Sequence, residues 1–169
     1  MRIIFSGSQR GFTLIEVIAV LVIIGIIAAV AISRATSTTQ ATLRSDVEKL
    51  KVHLRYAQLR ALNSTERVWG IDFAGSSNSY RLYYADTVAS YRTFPGEDAS
   101  TVTLPNTTIS ISGDGGRRVS FDTWGKPYQS LRANFDSPSN PQTADRTITV
   151  SAGGYSETIT ITKNTGYIP

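Results

Sequence analysis

Apolar and polar positions divide the chain into three stretches with different periods. From Phe12 to Ile32 every side chain is apolar or glycine except Thr13 and Glu16. Wound as a helix at 1.5 Å per residue, this run is about 31 Å long, the thickness of a bilayer's hydrocarbon core. A polar passage follows from Ser33 to Gln40, whose serines and threonines lower helix propensity without ending a helix. Apolar residues then recur at Leu43, Val47, Leu50, Leu54, Ala57 and Ala61, in steps of four and three that mark one face of an amphipathic helix. Joined to the apolar run, the pattern predicts a helix from about Phe12 to Asn63, roughly 78 Å if unbroken. The second seam is short and contains two alanines, which favours packing against a sheet over coiled-coil pairing.

Beyond Asn63 the period changes to two. Arg67 to Phe73 alternates, and Tyr80 to Tyr84 follows a Gly-Ser-Ser-Asn-Ser turn, so the two are read as a hairpin. Further strands are expected at Thr107 to Ser112, Arg118 to Asp122, Thr147 to Ser151 and Glu157 to Thr162, the last pair joined across Gly153-Gly154. Asp86 to Ser100, and Asn134 to Asp145 with Pro138 and Pro141, are read as loops, where partners are met. The fold class is therefore α+β: a long N-terminal helical spine, its first half membrane-embedded, packed against a C-terminal antiparallel β-sheet head. Trp69 and Trp124 are read as core or sheet-surface aromatics, and His53 as a surface or boundary residue of the helix.

Glu16 is the residue that asks for chemistry. A carboxylate inside a membrane span costs about 2.5–3.5 kcal/mol on translocon scales, so it needs a partner or an exit to the headgroup region. An ordinary secretory signal is the rival reading of this end, with Ala29-Val30-Ala31 as a small-x-small cleavage site. Against it, an h-region spans about 7–15 residues and lacks an acid.

Charge and composition narrow the classes. The net charge is +4 from 17 basic and 13 acidic residues, but two of the basic residues, Arg2 and Arg10, precede the apolar run. With no acid beside them they place the N-terminus in the cytoplasm and the head across the membrane. Residues 64–169 hold nine basic and ten acidic residues, so the head lacks the basic balance that displaces counterions from nucleic acid. Cysteine is absent, which excludes disulfides and thiolate metal sites. The acids Asp114, Asp122, Asp136 and Asp145 do not form the run of closely spaced oxygen ligands that a calcium loop needs. Gly113 to Gly116 with Arg117 and Arg118 lacks the context of a phosphate loop and is read as a hairpin turn. A single histidine on the helix supports neither a hydrolase triad nor a metal site, so no enzyme activity, metal or cofactor is expected.

The stretch Gly11-Phe12-Thr13-Leu14-Ile15-Glu16 running into an apolar helix resembles the prepilin signal of type IV pilins and type II secretion pseudopilins. The resemblance covers about the first fifth of the chain. It implies a leader at residues 1–11, cut between Gly11 and Phe12 by a prepilin peptidase that methylates the new N-terminus, and pairing of Glu16 with the N-terminal amine of a neighbouring subunit. It implies a transmembrane and assembly helix at residues 12–33, an amphipathic half at 34–63 and a β head at 64–169. Members of this family commonly carry a proline near Ser33. Its absence leaves Gly25 as the weak link of the membrane half, a point of local melting or of close approach by another helix. The helix end Leu54 to Ala61, the passage Phe121 to Pro127 and the ending Thr160 to Ile168 look like the pseudopilin H and FimT-like group of minor subunits. The absence of the paired C-terminal cysteines of many major pilins favours the same side.

What the resemblance implies is a structural subunit of a type II secretion pseudopilus or type IV pilus that supports protein secretion. Its partners would be the peptidase, sibling subunits, an inner-membrane assembly platform and lipid. It would sit in the inner membrane and then in a periplasmic or extracellular filament. Two alternatives stand beside it: a FimT-like subunit that binds DNA for uptake, and a single-pass membrane protein unrelated to filaments. The first needs cations clustered near the C-terminus, where only Lys163 follows Arg146.

Overall fold

The computed structural model describes residues 11–64, 68–73, 75–85, 89–112, 117–128 and 142–169, with backbone alone at 33–37, 85 and 89. The leader with Arg2 and Arg10, the Gly113 to Gly116 turn, Asp136 and most of the loop containing Pro138 and Pro141 lie outside the described residues. The chain divides into two compact units, residues 1–38 and 39–169.

Helix α1 spans Leu14–Leu62, within two residues of its expected ends. In the first unit its apolar residues are exposed from Leu14 to Ile32, in keeping with a run that is apolar all round and has no face to select. In the second unit the six stripe residues are at most 1% exposed. They share one core with Ile71, Leu82, Val119 and Phe121 of one sheet and Ile148, Val150, Ile159 and Ile161 of another. The stripe is thus buried against β-structure, as the two alanines suggested.

The larger sheet holds β1 (Val68–Asp72), β2 (Ser79–Ala85), β3 (Ala89–Arg92), β4 (Thr101–Thr103), β6 (Arg118–Phe121) and β7 (Pro127–Tyr128). Its order is β3-β2-β1-β6-β7, with β4 pairing β2. β5 (Thr108–Ser112), β8 (Arg146–Ala152) and β9 (Tyr155–Ile161) form the second sheet, in the order β5-β8-β9. Every pairing is antiparallel. The β1–β2 hairpin forms as expected, and β8 and β9 meet across Gly153-Gly154, both at positive φ, which a tight two-residue hairpin turn requires.

Three short strands escape a reading by alternation. β3 lies inside the stretch expected as a loop from Asp86 to Ser100, and β4 and β7 have three and two residues. Each exists because a longer neighbour offers it a ladder, and none carries enough alternation to announce itself.

Register also builds a charged group that the sequence hides. Asp72 on β1 lies opposite Arg81 on β2 and Arg118 on β6. Its fully buried carboxylate accepts from the Tyr91 hydroxyl at 2.7 Å and the Arg81 guanidinium at 3.4 Å. Arg118 Nε stands 3.3 Å away as an ion pair without an aligned hydrogen bond. A carboxylate in the sheet is tolerated because these partners replace its water.

Two residues on the head side differ from expectation. His53 is buried, 6% exposed, because Phe94 stacks on its ring at a centroid distance of 4.0 Å and Tyr80 meets Nδ1 at 2.9 Å. Trp124 is neither in the core nor on a sheet surface: it sits on the β6–β7 turn and is 80% exposed.

Candidate functional site

The N-terminal candidates are placed together by the first turns of α1. Thr13 caps the helix: its carbonyl accepts from the N–H groups of Glu16 and Val17 at 3.1 and 3.3 Å, and its Oγ1 lies 3.3 Å from the Glu16 nitrogen. The spacing Thr13-x-x-Glu16 is that of a capping box, a signal in the sequence that a reading centred on the acid overlooks. Glu16 is the acid of the first turn, where the helix dipole favours negative charge. Capping therefore accounts for an acid near the helix start, but not for the unbroken apolar surface around it.

Phe12 lies one turn before Glu16, and the two line a shallow apolar concavity with Val17, Val20 and Leu21. Among the described residues, Glu16 has no side chain of opposite charge against it. The span Leu14–Ile32 has a mean hydropathy of 3.1 and is long and apolar enough to cross a membrane.

Gly11 and Gly25 are informative through what surrounds them. A Cβ at either position would meet nothing within 4 Å. Neither glycine is required by packing among the described residues.

Among the described residues no cluster of three or more His, Asp and Glu could hold a metal ion. Burial lowers the His53 pKa, against the pull of Glu97, whose carboxylate is 3.8 Å from Nε2 and is already held by Lys49 at 2.6 Å. Arg146, one of the two C-terminal cations, is 1% exposed, and the ammonium of the other, Lys163, donates to the Thr143 carbonyl at 3.1 Å.

The apolar helix opening on Gly-Phe-Thr-Leu-Ile-Glu is continued by a helix packed on an antiparallel head, the arrangement that the resemblance to type IV pilins and pseudopilins implies. Residues 7–32 match the family model described as the prokaryotic N-terminal methylation motif. The fold is similar to that of the minor pseudopilin EpsH from the type 2 secretion system of Vibrio cholerae, at 10% identity and a TM-score of 0.53, covering 76% of this chain and 94% of that one. It is similar also to the type IV minor pilin FimU of Pseudomonas aeruginosa, at 15% identity and a TM-score of 0.51, covering 77% and 88%. No curated protein sequence matches the chain.

Proposed function

We propose that the protein is a minor pilin or pseudopilin, a structural subunit of a type II secretion pseudopilus or type IV pilus that supports protein secretion. In this reading it waits in the inner membrane with its N-terminus cytoplasmic, is cut between Gly11 and Phe12, is methylated at Phe12, and enters a filament through its apolar helix. Residues 1–11 are then leader, 12–33 the membrane and assembly helix, 34–63 the amphipathic half and 64–169 the head. Gly25 serves as a point of local melting, or lets another helix approach. The assembly platform, the peptidase and sibling subunits are the partners.

The observation that carries this reading is Glu16 within a span otherwise apolar from Leu14 to Ile32, inside the matched methylation motif. Cleavage before Phe12 frees an α-amino group one helical turn from that carboxylate's depth. In low dielectric, the amine of one subunit and the carboxylate of another stabilise each other far more than in water, so two desolvated charges become one contact.

Gly11→Leu is expected to leave a full-length, membrane-retained protein. In the native protein, mass spectrometry of the processed chain should read N-methylphenylalanine at its start. A native chain beginning at Met1 or Ser33 overturns the proposal. The DNA-uptake reading gains no observation, since Arg146 is buried and the Lys163 ammonium is engaged by Thr143.

A further inference from the structure

Among the described residues of 39–169, the exposed large apolar side chains are Val52, Leu59, Leu62, Trp124 and Tyr167. They come together on one flank of α1. Val52, Leu59 and Leu62 are spaced by seven and three, so they form one stripe on the side of the helix turned away from the core-facing one. The other two project from turns clamped to that stripe. Gln58 Nε2 donates to the carbonyls of Gly125 at 2.9 Å and Gly166 at 3.0 Å, and Arg55 donates to the Ile168 carbonyl at 3.1 Å. Trp124 and Tyr167 adjoin those anchored residues.

The Trp124 turn is rigid before any partner arrives. Asp122 Oδ1 accepts from the backbone N–H groups of Trp124 at 2.9 Å and Lys126 at 2.7 Å, and Oδ2 accepts from the Tyr128 hydroxyl at 3.2 Å. The backbone beneath this 80% exposed tryptophan loses little freedom on binding, and Trp, Tyr and Arg are the residues that dominate interface energetics. Charge narrows the partner. Arg55 and Lys126 are exposed, Glu48 one turn before Val52 is offset by Lys51 at 3.0 Å, and the carboxylate of the turn, Asp122, is buried and accepts from three donors. Two copies of this surface face to face would repel one another.

Resting on the filament reading, we propose that this flank is a docking surface for an apolar helix with carboxylates beside its stripe, presented by a neighbouring subunit. The stripe supplies the ridge, Trp124 and Tyr167 close over the incoming helix, and Arg55 and Lys126 select acidic flanks. Single-stranded nucleic acid would use the tryptophan and the cations but gain nothing from Val52, Leu59 and Leu62, so protein is the better occupant.

The test uses the full chain in cells that assemble the fibre, with a photoreactive benzophenone amino acid at position 124 and, as control, at the exposed Thr158. The expected product joins position 124 to an Asp- or Glu-bearing helical peptide of another prepilin-type subunit, at least about tenfold above the control. The double variant Trp124→Ser, Leu62→Ser should enter the fibre fraction at least about tenfold less, with Gly11 cleavage complete, the unfolding midpoint unchanged and Trp124→Phe close to native. Cross-linking to residues 118–128 or 162–169 of another copy, cross-linking to DNA, or normal entry of the double variant overturns the proposal. Processing tells the two readings apart: a native chain not cut after Gly11 removes the filament reading itself.

Discussion

The two halves of α1 are one element of secondary structure with opposite solutions for their apolar residues. From Leu14 to Ile32 apolar side chains point in every direction and remain exposed; from Leu43 to Ala61 one stripe carries most of them and is buried to within 1%, with Val52 and Leu59 left outside it. A stripe finds its cover within its own chain, because one sheet-bearing head covers one face. An all-round apolar surface has no such cover available and must take it from lipid or from other helices. Each half also holds an ionisable residue at odds with its setting. His53 is provided for internally, by Tyr80 and Phe94, whereas Glu16 has its backbone capped and no charged partner among the described residues.

The sharpest way to break this comparison is to remove the same side chain from each half. Leu54→Ala should destabilise the head by about 2–5 kcal/mol, the cost of a cavity in a fully packed site. Leu21→Ala should leave that transition unchanged, as denaturant unfolding followed by head fluorescence in detergent will read. Equal effects of the two would mean that the halves are not energetically distinct.

A smaller effect is expected at the end of the buried half. Gln58→Ala removes both donors to Gly125 and Gly166 and should cost about 1–3 kcal/mol, through carbonyls left without a partner. Its diagnostic sign is earlier hydrogen exchange or proteolysis at the Trp124 turn and the C-terminal segment. Gln58→Glu keeps the shape but supplies no donors, so it should resemble the alanine variant.

The smallest effect concerns pH. Burial lowers the His53 pKa, outweighing Glu97, which raises it, with Lys49 acting alongside burial and the neutral Tyr80 hydroxyl as the direct partner. The folded head therefore holds the imidazole neutral while the unfolded chain protonates near 6.5. The stabilisation is whole above that value and is lost as pH falls through it towards the folded pKa. Urea titrations should show a decline between about pH 7 and 5 that His53→Gln flattens. An unchanged slope in that variant would assign the decline to other groups.

Much of this was legible from spacing. The four-three steps named all six buried apolar residues of the helix, and Gly153-Gly154 named a hairpin that forms. What alternation missed were elements too short to show a period, β3, β4 and β7, whose existence depends on β2 and β6 as templates. His53 was misjudged because helical phase places it beside the stripe. Its burial depends on Phe94, forty-one residues away in a stretch read as loop. Trp124 was misjudged for the converse reason: an aromatic is usually buried, and the Asp122 turn that holds it outward is a matter of donor geometry.

By itself the sequence determined the spine, the class of head and the lone acid in the apolar run. These rest on local periodicity and on the cost of charge in hydrocarbon, which are properties of neighbouring residues. Only the tertiary structure decided that, among the described residues, strands pair into two sheets of six and three, that Asp72 meets two arginines and a tyrosine, and that five exposed apolar side chains gather on one flank of α1. Each of those joins residues distant in the chain, and such contacts are fixed by register and packing after the local pattern has already been satisfied.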